Sequence, residues 1–176
     1  MSALTLLRSL LVYQAWANDD VLEKLAGMDA RRSGEERHAA LRLMNHIHVV
    51  SRIFSAHLTG KPHRYDSDNT EETPEPMELR AALAAIDRWY LDYLETASEQ
   101  ELAQPIAFTF TDGDKGCMTR QEMLTHVVLH GSYHRGEIGR LLAGIGITPP
   151  WDTYAVHLHR AEPSRRLQVK HEPLEA

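Results

Sequence analysis

Histidine is the residue type in this chain with the most obvious chemistry, since 11 of the 176 residues are histidines. Three of them, His126, His130 and His134, occupy every fourth position of the segment HVVLHGSYHRG. On a helix, a step of four residues rotates the side chain by only about 40°, so neighbours in this series share a face. Two imidazoles about 6 Å apart on one face can bind a single metal ion. The spacing therefore predicts metal ligands on one helix.

A second helical segment supplies another candidate ligand. Apolar residues recur at helical spacing over residues 39–58, and His46 falls within their sector. His48, about 200° away around the helix, falls on the polar side. His57 also faces inward, but it lies about 16 Å along the axis from His46.

The three histidines of the later helix differ in their position relative to its apolar sector. His130 and His134 lie inside or beside that sector, and His126 lies at its edge. Together with His46 they predict a three-histidine set, which leaves one coordination position open for water or substrate, as in catalytic zinc sites. The alternative is that these histidines are core residues with hydrogen-bond partners. A di-iron site is disfavoured because no Glu-x-x-His pair faces inward, and the zincin motif H-E-x-x-H is absent.

Four amphipathic helices must position these residues. We predict them over residues 3–25, 33–59, 76–97 and 119–143. Ser33 with Glu36 and Thr119 with Glu122 have the spacing of capping boxes at two of the starts. The pattern predicts an all-α protein, a four-helix bundle with a short hairpin or extended loop before the fourth helix.

The connections suggest how the bundle is organised. Residues 61–75 form a polar surface loop that is long enough to cross the bundle, so simple up-down topology is not required. A short helical turn is predicted over residues 151–158. We expect one domain over residues 1–160 and a flexible tail over residues 161–176.

Composition restricts the partners. Lys and Arg total 19 against 25 Asp and Glu, so the net charge is −6. We interpret the only basic cluster as a solvated chain end and expect no nucleic-acid partner; it comprises Arg160, Arg165, Arg166 and Lys170. One cysteine, no signal-peptide pattern and no stretch of about 18 apolar residues predict a cytoplasmic protein without a membrane partner.

Three segments resemble the DinB/YfiT-like group of small bacterial metalloenzymes. YQAWANDDVL is similar to the family's Tyr-Asn-x-Trp-Ala-Asn opening, with Gln14 in place of the usual Asn. MNHIHVVSRIF is similar to its Asn-His-Ile-Leu-x-Ala-Asp-Arg-Ile-Phe segment. HVVLHGSYHRGEIGRLLAGIGITPPWD is similar to its His-x-x-x-His-Arg-Gly-Gln segment with a Pro-Pro-x-Asp close, although Glu137 replaces the usual Gln.

The resemblance implies a four-helix bundle in which His46, His130 and His134 hold a divalent ion, often nickel or zinc. It also implies thiol-dependent S-transfer or isomerisation, with a low-molecular-weight thiol as cosubstrate. Glu137 is a candidate for orienting an imidazole, or else a surface residue of the helix. His126 is a second candidate neighbour of the ligands.

These observations leave three functional hypotheses open. In the first, the ion activates a thiol against an apolar small-molecule electrophile, held in a cleft lined by Tyr13, Trp16 and Trp151. In the second, the ion activates water for hydrolysis. In the third, the protein is a stress-associated metal-binding dimer without catalysis. A homodimer is expected because bundles of this kind often pair through an exposed apolar face.

Overall fold

Four long helices make up most of the computed structural model, which describes residues 2–167. They are α1 (Ala3–Ala26), α2 (Gly34–Thr59), α3 (Pro76–Thr96) and α5 (Arg120–Gly144). The remaining elements are the short helix α4 (Glu99–Leu102), the antiparallel strands β1 (Pro105–Thr109) and β2 (Lys115–Thr119), the helix α6 (Tyr154–Ala161) and the 3-10 turn Pro163–Arg165. The prediction of an all-α bundle with a short hairpin before its last long helix is confirmed.

The C-terminal segment is described only in part. Helix α6 ends at Ala161, the first residue of the predicted tail, and the 3-10 turn Pro163–Arg165 lies within that tail. Residues 168–176 of the tail lie outside the described residues. The division at residue 160 stays a prediction. Among residues 2–167, none of the helices combines the length and apolar character needed to cross a membrane.

The helices form a ring in the order α1, α3, α2, α5. Contacts join α1 to α3, α3 to α2, α2 to α5 and α5 to α1 most extensively. The carbonyl of Leu58, near the end of α2, accepts a hydrogen bond from Arg120 at the start of α5, so these helices are antiparallel. Helices α2 and α3 run in the same direction, since Arg37 pairs with Glu75 and Ser51 accepts from Tyr90. The chain between them, residues 60–75, therefore crosses the length of the bundle and is called the crossing segment below.

Local sequence signals account for most helix ends. The Thr119 side chain accepts from the Glu122 amide, and the Glu122 carboxylate accepts from the Thr119 amide, so the capping box of α5 is confirmed. Helix α2 is terminated by Gly60, which follows Thr59 and has a φ of 64°, in the left-handed region. The capping box predicted at Ser33 is wrong: its backbone, with ψ at 40°, is not extended, and its side chain makes no capping hydrogen bond.

The core lies between the four long helices and is almost wholly aliphatic. Its largest fully buried members come from every wall of the bundle and include Leu11, Leu22, Met44, Ile47, Leu83, Ile86 and Met123. Tyr90 is also fully buried, and its hydroxyl donates to the Ser51 carbonyl at 2.6 Å. Burial raises the pKa of Tyr90 well above its usual value, so the hydroxyl keeps the proton that it donates.

Helices α1 and α5 approach closely at Gly131. A Cβ atom there would lie 2.9 Å from Nη1 of Arg135 and 3.1 Å from Oε1 of Gln14, both of which are buried. We expect Gly131→Ala to lower the free energy of unfolding by about 1–3 kcal/mol, the usual cost of overpacking a core. Denaturant unfolding followed by circular dichroism measures the change.

Gly136 on the same helix provides the matched control. It is exposed, and a Cβ there meets no atom within 4 Å. Gly136→Ala should leave stability unchanged or raise it by up to about 1 kcal/mol, because alanine favours the helix. Equal effects of the two substitutions would contradict the close approach at Gly131.

Candidate metal centre

Three imidazoles meet where α2 packs against α5. His46 projects from α2, and His130 and His134 project from successive turns of α5. Nε2 of His130 lies 2.9 Å from Nε2 of His46, and the three ring centroids are 4.5–4.7 Å apart. One potential ligand atom of each ring lies within 4.8 Å of the others. The structure thus brings together the three histidines that the sequence selected.

The crossing segment fixes the orientation of the first imidazole. Nδ1 of His46 lies 2.8 Å from the main-chain oxygen of Asp68. A carbonyl oxygen only accepts, so Nδ1 must carry the proton and Nε2 of the neutral ring has a free lone pair. The Asp68 carboxylate, 3.8 Å from the same Nδ1, favours this arrangement electrostatically.

A carboxylate on α5 fixes the orientation of a second imidazole. Oε2 of Glu137 lies 2.6 Å from Nδ1 of His134, one turn earlier on the helix. The carboxylate accepts the Nδ1 proton, which leaves Nε2 of His134 available as a ligand. The position at which the family motif has Gln is therefore occupied here by a residue in direct contact with a candidate ligand.

Burial keeps the third imidazole neutral. The pKa of His130 is lowered to about 3 because its ring is removed from water, with smaller contributions from His46, His134 and His126. A neutral imidazole is the form that binds metals. The three converging imidazoles are a nitrogen donor set that fits a divalent cation such as zinc or nickel.

The crossing segment is tied to α2 in the turn that precedes His46. Asn45 donates to the side chains of Asn69 and Thr70, and Arg42 donates to the Thr70 carbonyl. The sequence pattern of this stretch predicts a surface loop and gives no indication of its contribution to the site. The only sequence signal is the run of Asp, Asn and Thr residues, whose short polar side chains readily bond to backbone.

A buried polar network fixes the opposite side of α5. The Arg135 side chain is fully buried; its Nε donates to Asp152 at 2.7 Å and its Nη1 to Asn18 at 2.9 Å. Asn18 in turn donates to Asp87 at 2.9 Å. Tyr13 donates to Asp152, and its pKa is raised because burial and that carboxylate both disfavour the phenolate. The network joins α1, α3, α5 and the segment before α6.

An apolar cavity of about 300 Å³ lies beside the imidazoles. His46 and His130 form part of its wall, and the hairpin closes one side with Phe108 and Phe110. The rest of the wall comes mainly from α2, including Phe54 and His57.

The other predicted site residues lie in different places. Tyr13, 5% exposed, belongs to the polar network, and Trp16 packs against His157 of α6. Trp151 is 71% exposed and lines a surface groove with residues of the α1–α2 connection. None of the three lines the cavity beside the imidazoles, so the structure does not bring them to the histidine cluster.

Three further histidines of α2 and α5 lie outside the cluster. His126 stacks between Phe54 and His130, with ring centroids 4.5 and 5.4 Å away. His57 packs against Phe108 at 4.9 Å across the cavity. His48 faces away from the cluster, as predicted from the helical angle, but it is half-buried because the crossing segment covers it.

Acid should destabilise the metal-free protein. Burial lowers the pKa of His130 to about 3 and that of His48 to about 4, both below the 6.5 of an unfolded chain. Between about pH 7 and pH 5 the unfolded chain therefore binds protons that the folded chain does not, and the free energy of unfolding falls with pH. Asp87, whose pKa burial raises to about 6, opposes this trend. Unfolding by denaturant at several pH values, with a chelator present, measures the slope.

Single substitutions separate the contributions of His130 and His48 to the pH dependence of unfolding. His130→Gln and His48→Gln should each make the pH dependence shallower, by up to about 1.4 kcal/mol per pH unit. A slope that neither variant changes would show that these histidines are not held neutral in the folded state.

Comparison with known proteins supports this description. The model of the DinB family matches residues 1–167. The chain is similar to Protein DinB of Bacillus subtilis (strain 168), with 23% identity over 156 residues, which cover 83% of this chain and 90% of the relative. No solved structure matches. With the family model spanning nearly the whole chain and the histidine cluster in place, the protein belongs to the DinB family.

Proposed function

We propose that this protein is a metal-dependent enzyme whose divalent ion, zinc or nickel, is held by His46, His130 and His134. The observation that carries the proposal is the convergence of the three imidazoles, with one nitrogen of each within 4.8 Å of the others. Their partial burial and close approach favour a shared cation over three separate hydrogen-bonded side chains.

The chain supplies the donors and the groups that orient them. Glu137 and the Asp68 carbonyl hold the Nδ1 protons of two rings, so both rings can present Nε2. Three protein donors leave a coordination position for a small molecule. A divalent ion bound here supplies Lewis acidity, which lowers the pKa of a thiol or water in that position.

Thiol-dependent S-transfer or isomerisation of a small molecule is the activity that we propose first. The support is the likeness of its motifs to the DinB/YfiT-like group and the apolar cavity that opens beside His46 and His130. Metal-dependent hydrolysis is the alternative, because the same donor set would serve a water molecule equally well.

A non-catalytic metal-binding dimer is the remaining alternative. Several large apolar side chains on α1 and α5 are exposed, among them Leu6, Val12, Leu129 and Tyr133. Such side chains could form the face through which two copies pair. The homodimer stays a prediction, and so does a stress-associated role.

Metal content tests the site. Protein purified without a histidine tag and loaded with zinc or nickel should contain about one ion per chain by elemental mass spectrometry. His130→Ala should lose most of that ion because two imidazoles bind far more weakly than three. His48→Gln is the matched control: it replaces a half-buried histidine outside the cluster and should retain the ion.

Either of two results would overturn the metal site. One is wild-type protein that neither contains a divalent ion nor takes one up from added zinc or nickel. The other is equal metal loss in His48→Gln and His130→Ala, which would indicate a general effect of removing histidines.

Thiol dependence separates the proposed activity from hydrolysis. The metal-loaded protein should consume small electrophiles only when a thiol such as glutathione, bacillithiol or mycothiol is present, and His130→Ala should lower the rate by at least about 100-fold. Turnover without any thiol would favour hydrolysis. Full metal occupancy with no turnover under either condition would favour the non-catalytic alternative.

A further inference from the structure

The wall of the cavity beside the imidazoles is rich in aromatic and aliphatic side chains. Its apolar part consists of three phenylalanines and two branched aliphatic residues: Phe54, Phe108, Phe110, Val50 and Ile53. None of the described residues that line it is lysine or arginine, and its one carboxylate is that of Asp68. In the metal-free protein, an anionic group placed here would lose its hydration without gaining a lysine or arginine partner.

The β-hairpin is built to present two of these rings. Gly116 of β2 pairs with Phe108 of β1. A Cβ atom at Gly116 would lie 2.6 Å from Cζ of Phe108 and 2.8 Å from Cε2 of Phe110. Both rings therefore occupy the space that any side chain at position 116 would need, so only glycine fits there.

The burial of the two rings differs. Phe108 is 7% exposed and packs in the core, whereas Phe110 is 45% exposed. A large aromatic side chain that is nearly half exposed at the rim of a cavity can cover a bound apolar group.

The dimensions suit one aromatic ring with a small substituent. A dry cavity of about 150 Å³ is enough to bind benzene, and small-molecule sites begin at about 300 Å³. The cavity here is about 300 Å³. Because His46 and His130 form part of its wall, a ring inside it would place its substituent beside the candidate metal ligands.

We infer that this cavity binds the neutral aromatic portion of the substrate, with Phe110 covering it and Gly116 making room for the phenylalanine rings. The inference rests on the proposed function in calling the bound molecule a substrate. Binding in the cavity itself requires no metal, so it can be tested separately.

Ligand binding to the metal-free protein provides the test. The dissociation constants of 4-fluorobenzyl alcohol and of its anionic counterpart 4-fluorobenzoate are measured by fluorine NMR. The neutral alcohol should bind at least about tenfold more tightly, because the cavity has no cationic group for the carboxylate. Phe110→Ala should weaken binding of the alcohol by about three- to tenfold.

Two further variants make the test specific. Gly116→Ala, which alters no lining side chain, should also weaken binding because it displaces the rings of Phe108 and Phe110. Trp151→Ala removes an aromatic residue that is 71% exposed and outside the cavity, and it should bind the alcohol as the wild type does. Unfolding curves of each variant show whether it is folded.

Three results would overturn the inference. They are no saturable binding of the alcohol, equal affinity for the alcohol and the benzoate, and loss of binding in folded Trp151→Ala but not in folded Phe110→Ala or Gly116→Ala. Metal content, measured on the same preparations, keeps the two proposals apart. Zinc uptake without alcohol binding removes only the cavity inference, and alcohol binding without zinc uptake removes only the metal site.

Discussion

The buried charge of Arg135 is the constraint on which the arrangement of this bundle depends. A guanidinium in a protein interior is tolerated only when it is paired and hydrogen-bonded. Here Asp152 and Asn18 provide those bonds, and Asn18 is itself held by Asp87. Adjacent residues on a helix point about 100° apart. Directing Arg135 toward α1 therefore also determines the direction of its neighbour His134, which meets α2.

The two sides of α5 differ in their electrostatics. On the α1 side, a permanent cation is neutralised by the Asp152 carboxylate and hydrogen-bonded to the Asn18 amide. On the α2 side, burial keeps the His130 imidazole neutral, and backbone and carboxylate acceptors hold the Nδ1 protons of His46 and His134. The first arrangement makes the helix orientation rigid, and the second leaves Nε2 of His46 and His134 available as ligand atoms. A preorganised donor set of this kind needs both the rigid helix and the oriented imidazoles.

Sequence periodicity predicted the helices and selected His46, His130 and His134, because helical angle determines which side chains face inward. It could not predict the role of the crossing segment, since contacts between a loop and a distant helix leave no periodic trace. It also assigned Tyr13 and Trp16 to a cleft for substrate, whereas the structure packs them against the segment before α6 and α6 itself. Aromatic residues at helical spacing are equally compatible with both roles, and only the tertiary contacts decide.

The contact between the crossing segment and His46 uses a main-chain oxygen, which every amino acid provides. Replacement of the side chains over residues 61–67 would therefore leave that oxygen available. Adding or removing a residue in this stretch would instead bring a different carbonyl to the ring. Evolutionary drift over residues 61–67 should thus be less restricted in composition than in length, so that aligned homologues show varied residues there with few gaps.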